Sequence, residues 1–230
     1  MASSNSWGIE HLSKGFRLSP KRQLNTPMKN KTVRNKIKDL VASITPYDQL
    51  EKDHIESICN WISGDAEIFR IQKDAVPPKH LVSYSLVVDP IHEKLLLFDH
   101  KKAKLMLPGG GHIEINEMPL IAAKRELKEE LGLSLETYSP HNNRTNNQTE
   151  PPFFVTVTQT AGISEPHTDV SLWYLFQEDS AKFFRTDGEE YDKEFDDFHW
   201  LSFDEVLSSP IEKFDPHMHR LIHKIKKFNS

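Results

Sequence analysis

Two periods divide the chain. Between residues 33 and 62 apolar side chains recur every three or four positions, first as Val33, Ile37, Leu40, Val41 and Ile44, then as Leu50, Ile55, Ile58, Trp61 and Ile62. That spacing gathers them on one stripe of each of two helices. Thr45-Pro46 with Asp48 supplies an N-cap, a proline at the first helical position and an acid in the first turn for the second helix, which Gly64 stops. From Lys79 the pattern turns β-rich. Residues 80–88 (HLVSYSLVV) and 94–98 (KLLLF) predict strands, and Asp89-Pro90 between them predicts a turn joining an antiparallel pair. Further strands are expected at 105–107, 153–160, 168–177 and 196–201, with a polar, Asn-rich loop at 139–152. A short helix is expected at 203–207 and a closing helix at 216–228, with Met218, Leu221, Ile222, Ile225 and Phe228 inward. Strands flank helices without strict alternation, so the fold class is α+β with a mixed sheet.

Residues 111–133 (GHIEINEMPLIAAKRELKEELGL) stand apart. Asn116 is placed to cap a helix over 117–131, Glu117 and Pro119 suit its first turn, and Gly132 suits the left-handed position that ends one. Leu120, Ala123, Leu127 and Leu131 fall on one stripe, and Glu126, Glu129 and Glu130 on an adjacent sector. Carboxylates at such spacings repel by a few tenths of a kcal/mol per pair. A hard divalent cation would relieve that repulsion and suits oxygen ligands. A solvated surface helix carries similar charges. What separates the two readings is Pro108-Gly109-Gly110-Gly111 in front, a run that serves a sharp bend or a close approach to a ligand.

The stretch resembles the Nudix box, G-x5-E-x7-R-E-U-x-E-E-x-G-U with U aliphatic: Gly111, Glu117, Arg125, Glu126, Leu127, Glu129, Glu130, Gly132 and Leu133 occupy every fixed position. The third glycine departs from the usual Pro-Gly-Gly. The resemblance covers residues 78–229 and implies an α/β/α sandwich that hydrolyses a diphosphate linked to a nucleoside or similar group, with Mg2+ or Mn2+. It further implies Glu126 and Glu130 as primary metal ligands, Glu129 as ligand to a further ion, Glu117 as support through water, the Gly111 carbonyl facing metal, and Arg125 orienting the acids. The general base is expected among Glu126, Glu129 or an acid of the run 187–197 (DGEEYDKEFDD). Glu194 is preferred, because the family often places such an acid ahead of its last strand.

Substrate recognition is less legible. If residues 168–177 alternate, His167, Asp169, Ser171 and Trp173 share one face, which would line a pocket with the indole stacked on a base, or else face solvent. His112, beside the loop glycine, is a candidate phosphate contact. His219 and His223 have the i,i+4 spacing of a metal pair, though a basic surface helix explains them better.

Composition sets the frame. The 230 residues, 37% hydrophobic and 27% charged, predict a soluble domain with an attachment. The domain is expected over 78–230, a helical hairpin over 31–77 and a disordered tail over 1–30. No apolar run is long enough to cross a bilayer and no secretory h-region follows Met1. Cys59 is the one cysteine, so a cytoplasmic setting is expected and the sequons at Asn143 and Asn147 are accidental. The net charge of -5 hides nine Lys or Arg against two acids in residues 1–40. The acidic remainder argues against a nucleic-acid-binding body. The hairpin cannot bury both helix faces alone, so it packs on the domain, caps the substrate site or contributes to a homodimer. The function expected is metal-dependent cleavage of a nucleoside diphosphate linked to another moiety, of the ADP-ribose or nucleotide-sugar kind. A non-catalytic nucleotide sensor acting through the basic N-terminus is the alternative. Isoprenoid diphosphate isomerisation would need a cysteine acid, and Cys59 lies outside the resembling region.

Overall fold

A computed structural model of the chain describes residues 27–72, 76–139, 150–160, 166–183 and 188–229. The expected tail, up to residue 26, and the core of the Asn-rich loop with both sequons lie outside the described residues.

The sheet is built around β1 (Lys79–Asp89). One edge pairs in parallel with β6 (His167–Gln177), from Lys79 against Thr168 to Val88 against Gln177. The other edge is shared by two antiparallel strands. β4 (Gly109–His112) lies against residues 82–85, and β2 (Lys94–His100) against residues 87–89. β5 (Phe154–Thr160) flanks β6, while β3 (Met106–Leu107) and β7 (Phe195–Ser202) both pair with β2. The one parallel pair makes the seven-stranded sheet mixed, as expected. Asp89 builds the β1–β2 turn by accepting the backbone N–H groups of Ile91 and His92 at 3.1 Å each. β4 was not expected, because three consecutive glycines carry no alternating pattern.

Alternation along β1 assigns the two faces. Leu81 and Val87 join a core with α3 (Pro119–Leu131) and the N-terminal helices, while Leu86 and Val88 join a second core under α5 (Phe203–Ser208) and α6 (Met218–Asn229). Helices therefore cover both faces, giving the α/β/α sandwich. α5 begins in a complete capping box between Ser202 and Glu205. In α6, Met218, Leu221, Ile222 and Ile225 are buried, whereas Phe228 is half-buried beside Phe153.

The hairpin α1 (Pro27–Ala42) and α2 (Gln49–Ser63) packs on this body. α2 starts later than Thr45-Pro46 suggests: Asp48 is the N-cap, accepting Glu51 N–H at 2.8 Å. The start fixes the helical phase, so that Glu51, Ile55, Ile58 and Ile62 form the buried stripe and Leu50, expected inward, is 44% exposed. A buried acid needs a counter-charge. Lys224 of α6 supplies it at 2.7 Å, both side chains being almost fully enclosed, and Arg220 grips Asp48 at 2.6 and 2.8 Å one turn away.

Lys224→Met strands the Glu51 carboxylate in the core and is expected to cost about 3–5 kcal/mol in urea unfolding, whereas Glu51→Leu/Lys224→Met together recover most of that loss. Arg220 lowers the Asp48 pKa from 3.8 to about 2. A depressed carboxylate stabilises the fold above its unfolded pKa, and the gain disappears as pH falls through the folded value. The stability difference between wild type and Asp48→Asn is therefore expected to be full above about pH 5 and to vanish near about pH 2 in unfolding titrations.

Candidate active site

Small side chains let α3 lie close on the sheet. Ser83 and Ser85 of β1 donate their hydroxyls to the carbonyls of Pro119 and Ala123 at 2.9 and 2.7 Å, and Ala122 and Ala123 are fully buried. This approach sets the acids of α3 against β4. A Cβ on Gly111 would stand 2.5 Å from Glu126 Oε1, and one on Gly109 would stand 3.0 Å from Glu130 Oε2. Gly110 has φ 155°, and its Cβ would meet the Ser83 carbonyl at 2.5 Å. The middle glycine is thus required by β1, while its two neighbours make room for carboxylates.

α3 begins two residues later than expected. Asn116 is not the cap: it has φ 65° and a buried side chain, and Met118 precedes the first turn with no side-chain cap bond. Glu117 is consequently outside the helix, where it meets Arg125. Arg125 Nε and Nη2 each reach one Glu117 oxygen at 3.0 Å. Nη1 donates to Glu126 at 2.7 Å and Glu129 at 3.1 Å, and Nη2 also donates to the His112 carbonyl at 3.1 Å. The rigid fork locks three acids relative to one another and to β4. Hydrogen bonding to Glu117 is the main cause holding the guanidinium pKa above its usual range. At the other end Gly132, φ 68°, closes the helix on the Lys128 carbonyl at 2.9 Å, as expected.

Glu130 is the most enclosed of the acids, at 7% exposure. It accepts the Gly110 N–H at 2.8 Å, and among the described residues no cationic side chain pairs with it. Burial, then the neighbouring Glu126 charge, raises its pKa to about 9. Glu126 is raised as well, chiefly by burial and against the pull of Arg125. Glu129 is half-exposed. Among the described residues Arg125 is the one cation in ion-pair contact with these oxygen donors, which fit a hard divalent cation. They are not a closed shell, however. Among the described residues the three-ligand groups with atoms within 4.8 Å are His80–His112–Asp169 and Asp89–His92–Asp179.

Glu194 is brought to the same place. It ends α4 (Tyr191–Glu194), whose approach is docked on α3 by Glu190 N–H donating to the Glu129 carbonyl at 2.9 Å and by Gly188, where any Cβ would strike the Glu130 carbonyl. The Glu194 charge contributes to the Glu130 shift, and Lys102 holds its two oxygens at 2.8 and 3.0 Å.

The expected recognition face divides. Trp173 is corrected: it is fully buried, donates Nε1 to Thr156 Oγ1 at 3.1 Å and packs 4.5 Å from Tyr84, so no ring face is open to a base. Both sheet faces are covered there by helices, which turns a polar-looking strand face into core. At the strand's start the face is more open. His167 Nε2 lies 3.4 Å from Asp169 Oδ1, and the His80 ring stacks on His167 at 5.3 Å and sits 4.9 Å from His112. Burial, with Arg70 next, lowers the His112 pKa to about 3, leaving a neutral imidazole. His219 turns its Nε2 to the Val206 carbonyl at 2.9 Å, as a helix-surface residue would. His80, Lys102 and Gly188 were not anticipated. Nothing local marks them: His80 faces Asp169, 89 positions on, Lys102 holds Glu194, 92 positions on, and Gly188 presses on Glu130, 58 positions back.

A model of the NUDIX domain matches residues 79–224, well over half of the chain. The chain belongs to the Nudix family and is a Nudix-type hydrolase. No curated sequence matches it. Similar solved structures include a NUDIX-family hydrolase from Clostridium perfringens, 25% identical with a TM-score of 0.46 over 64% of this chain and 97% of that one. A MutT NUDIX hydrolase from Burkholderia pseudomallei is 19% identical with a TM-score of 0.43 over 63% and 95%. A C. elegans Ap4A hydrolase is 14% identical with a TM-score of 0.44 over 64% and 96%. Among the described residues no helix is long and apolar enough to cross a membrane.

Gly111→Ala is expected to displace the Glu126 carboxylate and lower metal-dependent turnover by at least about tenfold while moving stability by less than about 1 kcal/mol. Gly110→Ala, which strikes backbone, should instead appear as lost stability in the same unfolding assay.

Proposed function

We propose that this hydrolase uses Mg2+ or Mn2+ to cleave the pyrophosphate of a nucleoside diphosphate linked to a second moiety, with ADP-ribose and nucleotide-sugar-like compounds as first candidates. The observation that carries the reading is the buried Glu130 beside Glu126, two carboxylates crowded against a glycine strand with no cationic side chain on Glu130 among the described residues. Glu126 and Glu130 would hold the ion, with Glu129 available to a second, the Gly111 carbonyl nearby and Glu117 in support. When bound, such a cation polarises phosphate oxygens and lowers the pKa of an attacking water.

The chain's own residues do the rest. Arg125 fixes Glu117, Glu126 and Glu129 in one arrangement, so no rotamer freedom is lost when substrate arrives. We assign Glu194 as the base that takes the water's proton. Its carboxylate is held by Lys102, which would release it or follow it toward the ion site. The setting proposed is cytoplasmic. The described hairpin lies against the body of the same chain.

Glu130→Gln keeps the volume and the Gly110 contact but removes the anion. Phosphate release from a panel of nucleoside diphosphate derivatives, with Mg2+ and with EDTA, is expected to fall by at least about a hundredfold in this variant at unchanged stability. Turnover within about threefold of wild type would overturn the assignment.

A further inference from the structure

At the end of β1 opposite the β2 turn, four side chains from three strands converge. His80 comes from β1, His112 from β4, and His167 and Asp169 from β6. The parallel register places His80 directly beside Asp169, and the antiparallel register places His112 beside Val82. One ligand atom from each of His80, His112 and Asp169 lies within 4.8 Å of the others, and His167 Nε2, outside that group, is 3.4 Å from the same Asp169 oxygen.

His80 decides what the group is for. Its side chain is completely buried, and Nδ1 sits 2.8 Å from the Pro77 carbonyl. A carbonyl only accepts, so Nδ1 carries a proton, and in the neutral imidazole Nε2 then presents a lone pair. Nε2 is 3.4 Å from Asp169 Oδ1, yet the two atoms make no hydrogen bond, and among the described residues both are buried with no hydrogen-bond partner. A lone pair and a carboxylate oxygen held together without a proton between them leave two buried acceptors unsatisfied. A cation between them satisfies both. Ligands about 2.0–2.1 Å from a tetrahedral ion stand roughly 3.3 Å from one another, close to the 3.4 Å between His80 Nε2 and Asp169 Oδ1.

We propose that His80, His112 and Asp169 form a second metal site, for a zinc-class transition-metal ion with its fourth position open to water, separate from the carboxylate site of α3. Imidazole nitrogens select zinc, nickel or copper over magnesium, and the Pro77 carbonyl behind His80 is the outer contact that fixes a ligating imidazole's tautomer. An anion is the competing occupant, since Arg70 is near enough to depress His112. The Asp169 oxygen at the centre of the group opposes that occupant, and Asp215, close enough to feel the Asp169 charge, opposes it further. The site ties together the three strands whose register positions Gly109, Gly110 and Gly111. It thereby takes His112 and Asp169 from direct substrate contact to ligation.

The test uses the full chain, stripped with EDTA and returned to excess Mg2+, then titrated with Zn2+ and, for its visible spectrum, Co2+. One equivalent of zinc per chain should be retained on gel filtration in wild type and in Glu126→Gln, and cobalt should give the intense visible bands of a four-coordinate ion. Asp169→Asn, and His80→Gln where circular dichroism shows it folded, should weaken retention at least about a hundredfold. Wild type that holds no zinc against Mg2+ overturns the site. So does zinc lost in Glu126→Gln but kept in Asp169→Asn, or stabilisation by inorganic phosphate with none by zinc. Because these readouts are binding and spectra, failure here leaves the hydrolase reading standing, and inactivity of wild type on the substrate panel leaves this one standing.

Discussion

The whole arrangement depends on how near one helix can come to one strand. α3 reaches β1 and β4 because the positions between them are serine, alanine and glycine, and the serine hydroxyls bond to helix carbonyls rather than standing unpaired. Any larger side chain would lift the helix and with it every carboxylate on its flank. The acids are therefore positioned by what is missing from the strand. Arg125 then sets their mutual geometry, and burial sets their charge.

That closeness carries an energetic consequence. Burial pushes both Glu126 and Glu130 toward protonation, the Glu126 charge adding to it at Glu130 and the Glu129 and Glu117 charges at Glu126, and the fold tolerates it because Arg125 compensates one of the pair and a backbone N–H the other. The contrast with Glu51 is instructive. It is also buried and also raised by burial, but Lys224 meets it at 2.7 Å and the pair joins the hairpin to α6. One buried acid is closed by the protein's own cation and serves stability. Glu130 is left open toward a cation from solution.

How much of this the sequence discloses follows from the range of the interactions. The box was legible because its residues are spaced for a single helix and its preceding turn, and the Gly132 stop works within one turn. β4 was not, because glycines have no face to alternate. Asp48 rather than Thr45 caps α2, a shift of three residues that rotates Leu50 out and Glu51 in, and only the distant Lys224 makes that phase acceptable. The alternation along β6 was correctly split into two faces, but whether a face is wet depends on what covers it. α5 and α6 cover Trp173, while His167 and Asp169 lie beyond that cover. His80 gains its meaning from a parallel pairing with a strand almost ninety residues away.

The loop bearing Glu194 is fastened to α3 through main-chain atoms, the Glu190 amide on the Glu129 carbonyl, with Gly188 pressed against the carbonyl of Glu130. Anchorage and chemistry thus use different parts of the same two residues. Side chains on that helix flank can be exchanged by mutation or drift without unmooring the segment that carries Glu194, so the two halves of the proposed catalytic apparatus are free to vary on separate schedules.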